Sequence, residues 1–141
     1  MYFRQNYMQN VAPMTDSAGN SFRSKKDALN NLFALQLDDH LIKYRREYAA
    51  LPQKRDKRGR LYDPYHWDFA IEPIDDTRLL VEVNGGTWSH MGHSTGGGIQ
   101  RDYAKANAAV CHGYRQLTFT TADVEDNTAI DTICRVLLGV G

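Results

Sequence analysis

The sequence is short of cysteine, of net charge and of long apolar runs, and each shortage removes a class of protein. Two cysteines stand among 141 residues, Cys111 and Cys134, and neither belongs to a CxxC pair. That excludes a disulfide framework and offers no zinc-ligand set, so both are expected as buried free thiols in a reducing cytoplasm. No segment approaches the ~18 consecutive apolar residues of a membrane-spanning helix, so no contact with a membrane is expected. The opening residues, Met1 to Arg23, are polar and lack the apolar centre of a secretory signal. What is there, 42% hydrophobic residues with a negative mean hydropathy, fits an ordinary globular chain of one core.

The zero net charge hides a segregation. From Asn20 to Arg60 there are 11 Lys/Arg against 5 Asp/Glu, and from Leu61 to Gly141 there are 5 against 11. A basic first half and an acidic second half suit an enzyme that grips phosphates at one edge and gathers carboxylates around a metal. A solvated charged surface without a partner is the alternative that charge alone leaves open.

Residues 1–23 carry no sustained periodicity and are expected as an extended N-terminal arm, either mobile or packed on a partner subunit; residues 24–141 are expected as a single domain. Ser24 opens a helix, with Asp27 completing a capping-box-like start. Leu29, Leu32, Phe33, Gln36, Leu37 and Leu41 then follow near a 3.6-residue repeat. Arg46 to Leu51 predicts a strand ended by Pro52, and Gln53 to Arg60 a basic hairpin loop or flap. His66 to Glu72 and Thr77 to Val83 predict two more strands around a turn at Pro73 to Asp76. The apolar run Leu79-Leu80-Val81 marks a central position. After Gly85 and Gly86 a glycine-rich loop runs to about Gly98. A helix from about Ile99 to His112 ends at Gly113, a strand spans Tyr114 to Thr120, and a closing helix spans about Asp123 to Leu138. The order αβββαβα predicts an α/β fold, a mixed sheet flanked by helices.

Two carboxylates lie within the predicted strands. Asp68 stands between Trp67 and Phe69, and Glu82 between Val81 and Val83. A carboxylate among such neighbours is costly to bury alone, and two on adjacent strands repel unless a cation sits between them. Mg²⁺, which takes hard oxygen ligands and keeps several waters, is the natural candidate, with the Val83 carbonyl as a further oxygen. The alternative is that each carboxylate alternates outward into water.

The stretch from about Ser24 to Val124 resembles the PD-(D/E)XK nuclease superfamily, and within it phage and bacterial proteins related to very-short-patch repair endonucleases. Trp67-Asp68-Phe69-Ala70, Glu82-Val83-Asn84-Gly85-Gly86-Thr87-Trp88, His93-Ser94-Thr95-Gly96-Gly97-Gly98, Asp102-Tyr103-Ala104-Lys105-Ala106-Asn107 and Gly113-Tyr114-Arg115 carry the likeness. It covers about 100 of the 141 residues. The resemblance implies a restriction-endonuclease-like core and Mg²⁺-dependent hydrolysis of a DNA phosphodiester, with Mn²⁺ as a substitute ion. It implies Asp68 and Glu82 as metal ligands, and Lys105 or a histidine steadying the water or the phosphate. Two positions depart from the pattern. Asn84 stands where the wider superfamily has lysine and close relatives an acid, and Asn30 or Asn31 where many relatives carry a helix glutamate. An amide ligates through its carbonyl but adds no charge and takes no proton, so a catalytically weakened DNA-binding module is the alternative.

His90 and His93 lie in the glycine-rich loop beside the carboxylates, as general acid, water-positioning or phosphate-contacting groups or as exposed loop residues. His40, His66 and His112 read as structural. Trp88 is expected to stack on a base or to pack at a strand end. Arg101 and Lys105, four apart, share one helix face, which contacts DNA or is simply solvated. Lys54, Arg55, Lys57, Arg58 and Arg60 form the best candidate for sequence-independent phosphate contact. Branched or mismatched DNA is the expected substrate, in phage or bacterial recombination or repair; a resolvase of junctions requires a homodimer.

Overall fold

The structure, a computed structural model, describes residues 21–84 and 96–140. Its elements are α1 (Ser21–Asp39), β1 (Tyr44–Tyr48), β2 (Lys54–Arg55), β3 (Leu61–Tyr62), β4 (Trp67–Ile71), α2 (Ile74–Thr77), β5 (Leu79–Val83), α3 (Gly96–Cys111), β6 (Arg115–Phe119), α4 (Thr121–Glu125) and α5 (Thr128–Leu138). The chain is mixed α/β. Its described residues form two compact units, the first of residues 21–42, 83–84 and 119–140, the second of residues 43–82 and 96–118.

The second unit is built on the sheet. The strand order is β1-β4-β5-β6, with β1–β4 and β4–β5 antiparallel. Between β5 and β6 the Arg115 amide donates to the Arg78 carbonyl and the Asn84 amide to the Phe119 carbonyl, a pairing that advances in the same direction on both strands. The sheet is therefore mixed, and α3 is the crossover that a parallel pair requires. All of β4 is buried, as are Leu79, Leu80 and Val81 in β5, which gives these two the apolar character of central strands. Leu51, Trp67, Ala70, Leu80 and Ala109 of α3 form one cluster, with Tyr65, Ile74 and Tyr114 against it. Gly113 ends α3 as expected, at φ 81, with Tyr114 N bonded to Ala109 O and Gly113 N to Val110 O.

The first unit contains α1, α4 and α5. Leu29, Phe33, Ala34 and Leu37 are the buried face of α1, and Phe33 meets Phe119 with ring centroids 6.0 Å apart. Gln36 Nε2 donates to the Val124 carbonyl at 3.0 Å and to Asn127 Oδ1 at 3.3 Å, tying α1 to the turn between α4 and α5.

Several boundaries differ from those expected. Helix α1 begins at Ser21, so Ser24 lies within it and Ser21 to Arg23 are not part of an arm; residues 1–20 lie outside the described residues. Leu41 is not on its buried face: the helix stops at Asp39, and Leu41 is 90% exposed at φ 57. The first strand is Tyr44–Tyr48 rather than Arg46 to Leu51, because an edge strand tolerates charge and its residues Arg45, Arg46 and Glu47 are exposed. The turn after Pro73 is one turn of helix, α2. The closing helix is broken into α4 and α5 at Asn127, which holds φ 68; α4 starts from a capping box of Thr120 with Asp123. Cys111 and Cys134 are free, but Cys111 is exposed at the end of α3 rather than buried, and Cys134 is half-buried. Among the described residues no helix is long and apolar enough to cross a membrane.

Candidate functional site

Asp68 lies inside β4 and is 5% exposed. Glu82 is the penultimate residue of β5 and is half-buried. The register pairs Phe69 with Val81 and Ala70 with Leu80, and one further step sets Asp68 across from Glu82. Residues directly opposed on antiparallel strands hold their Cβ atoms about 4.5–5.5 Å apart. The carboxylate pair singled out in the sequence thus belongs to one hairpin of the second unit, at opposed positions.

Glu82 has a cationic partner from α3. Lys105 Nζ donates to Glu82 Oε1, and each side chain is 17% exposed. The same ammonium lies 5.1 Å from the centroid of the Trp67 ring, a cation–π arrangement. Trp67, itself fully buried, donates from Nε1 to Gln116 Oε1 at 2.8 Å, and Gln116 Nε2 donates to Thr118 Oγ1 at 3.2 Å. One turn before Lys105, the Arg101 guanidinium lies 5.6 Å from the Tyr65 ring, and Tyr65 meets Trp67 edge-on at 6.1 Å. The i, i+4 face that Arg101 and Lys105 share therefore lies against an aromatic pair. Asp102 on the same helix is half-buried.

Two carboxylates are a donor set suited to Mg²⁺, which binds through one or two of them and completes its shell with water and phosphate oxygens. Among the described residues no group of three or more His, Cys, Asp or Glu converges. Val83 is buried at the end of β5, and Asn84 follows it, its backbone amide donating to the Phe119 carbonyl at 2.7 Å. Asn30 is buried in α1, and its Oδ1 has no hydrogen-bond donor among the described residues; Asn31 is half-buried and engaged. Trp88, His90 and His93 lie outside the described residues. His40 and His112 each direct Nδ1 to the carbonyl four residues back, and His66 stands 3.6 Å from Asp63.

The basic segment is an ordered hairpin. Strands β2 and β3 pair Lys54 with Tyr62 and Arg55 with Leu61. Asp56 organises the turn between them: Oδ1 accepts from the Arg58 amide at 2.8 Å and the Arg60 amide at 2.9 Å, and Oδ2 from Arg60 Nε at 3.0 Å. Those donors, the Arg60 amide foremost, hold the Asp56 carboxyl below the usual carboxylate range. Arg55 donates to the Gly59 carbonyl, and Lys54, Lys57 and Arg58 are exposed.

Tyr65 and Gln116 are the members of this constellation that sequence reasoning missed. Gln116 sits at an alternating strand position, but nothing in its neighbours announces an indole as its partner. No protein-family model, curated protein or solved structure matches the chain.

Proposed function

We propose that the chain is a metal-dependent DNA endonuclease with a restriction-endonuclease-like core, acting on branched or mismatched DNA in phage or bacterial recombination or repair. The observation that carries this reading is the buried carboxylate of Asp68 set by register against Glu82, with a lysine from the crossover helix on the second carboxylate. Asp68 and Glu82 are the proposed Mg²⁺ ligands, with the Val83 carbonyl and the Asn84 side chain as further oxygens and Mn²⁺ as a substitute ion. Bound there, the ion supplies a polarised phosphoryl oxygen and a water of lowered pKa. Lys105 steadies the phosphate or the attacking water, His90 and His93 are proposed for proton transfer, and Arg101, Trp88 and the 54–60 hairpin hold the DNA. A homodimer in the cytoplasm completes the proposal.

A second reading, a DNA-binding module with weakened catalysis, is favoured by the same ion pair. The charge of Glu82 is already met by Lys105, and Asn84 adds none. Incubation of the protein with a four-way junction, a mismatched duplex and single-stranded DNA, each with Mg²⁺, Mn²⁺ or chelator, separates the two. Divalent-dependent nicking supports the enzyme; retention of DNA without cleavage supports the module.

A further inference from the structure

A carboxylate as covered as that of Glu82 requires a counter-charge, since removing one partner of a covered pair strands the other. Lys105 supplies it, and the ammonium is itself as covered as the carboxylate. It has a second support as well. The centroid of the Trp67 indole lies 5.1 Å from it, and that indole is anchored through its Nε1 donor on Gln116. An ammonium with two supports has a place to remain when one is taken away. The face of Trp67, unlike a carboxylate, does not compete for a divalent cation.

We infer that Lys105 is the resident counter-ion of Glu82, so that a divalent cation taken by Glu82 must displace the ammonium, which stays on the Trp67 face as a ready partner for an anionic ligand. This deepens the metal-site reading and rests on it. The pair has two consequences. Without metal, the covered carboxylate is neutralised and the hairpin tolerates it. With metal, Lys105 opposes binding by competing for the same oxygen and by repelling a second positive charge. The displaced cation then faces the class of ligand the proposed reaction supplies, a phosphodiester, and no bond to Lys105 need form or break covalently.

Calorimetric titration of the whole protein with Mg²⁺ alone, in the absence of DNA, tests this. Lys105→Met and Lys105→Gln remove the charge, and the glutamine keeps a donor for Glu82 if the methionine variant folds poorly. Each should bind Mg²⁺ about tenfold or more tightly than wild type, as removal of a like charge at close range requires. Lys105→Arg, which keeps the charge, should stay within a few-fold of wild type. Added Mg²⁺ should also raise the melting temperature of the neutral variants more than that of wild type, because stabilisation by a ligand grows with its affinity. Wild type that binds Mg²⁺ no more weakly than either neutral variant overturns the counter-ion inference while leaving the metal site standing. Absence of Mg²⁺ binding in wild type and all three variants overturns the metal site and the inference together.

Discussion

Trp67 and Gln116, 49 residues apart in the chain, are joined by a 2.8 Å hydrogen bond from the indole Nε1 to the amide Oε1. The indole is fully buried, so its one donor depends on this acceptor. Gln116→Leu should destabilise the fold by about 1–3 kcal/mol, the desolvation penalty of a buried donor left without a partner. Gln116→Glu, which keeps an acceptor at the same reach, should recover much of the loss. Urea denaturation followed by circular dichroism measures both. A leucine variant as stable as wild type would mean that the indole finds another acceptor.

The proposed ligands make a sharper demand. Asp68→Ala and Glu82→Ala should each abolish divalent-dependent cleavage while leaving the far-ultraviolet circular dichroism spectrum unchanged. Wild-type turnover in either variant would remove that residue from the ligand set.

How far this was legible in the sequence depended on whether the cause was local. The β4–β5 hairpin was legible because its apolar residues have no position but the centre of a sheet, and Asp68 and Glu82 stood out against them. The Arg101–Lys105 face was legible from spacing. Its partners were not: Lys105 meets Glu82 across 23 positions and Trp67 meets Gln116 across 49, and no local signal encodes such pairings. Strand β1 was displaced because Tyr48 to Leu51 is the more apolar stretch, yet Leu51 packs in the core from outside the strand while Arg45 and Arg46 lie within it. The break comes at Asn127, a residue type that enters the left-handed region more readily than most, and it holds φ 68 between α4 and α5.

Leu41 occupies a position that favours glycine. It holds φ 57 just after α1, where Ile42 N bonds to Leu37 O and Leu41 N to Asp38 O, both at 3.0 Å, in the left-handed termination of a helix. Its side chain is 90% exposed and contributes little packing. Leu41→Gly should therefore stabilise the protein, by up to about 1 kcal/mol once the extra freedom of glycine in the unfolded chain is deducted from the relieved strain. Thermal melting reads the change; a lower melting temperature would show that Leu41 packs on something its exposure does not reveal.

The five cations at Lys54, Arg55, Lys57, Arg58 and Arg60 should set the salt dependence of DNA binding. Replacing them with neutral residues should weaken affinity for all sequences alike and flatten the log–log slope by about 0.9 for each duplex phosphate the hairpin no longer neutralises. Fluorescence anisotropy across a salt series measures the slope. An unchanged slope would place the DNA backbone elsewhere.

Asp56 separates the shape of that hairpin from its charge. Its carboxylate collects the Arg58 and Arg60 amides and the Arg60 guanidinium, and Gly59 at φ 79 closes the turn through its amide to the Asp56 carbonyl. The folded-state pKa is depressed, with the Arg60 amide as the largest cause. The stabilisation it contributes is therefore fully present above the unfolded carboxylate pKa and is lost as pH falls through the lowered value. The turn should hold throughout neutral and mildly acidic conditions, and the Arg58 and Arg60 amide resonances should titrate below the usual carboxylate range. Titration at an ordinary carboxylate value would mean that the bonds do not persist in solution. Asp56→Ala then distinguishes two accounts of DNA binding. If charge alone mattered, removing an anion from a basic segment would tighten binding. If the cations act because the turn presents them on one ordered hairpin, the same substitution should weaken binding despite the added net positive charge, and weaker binding is the expected result.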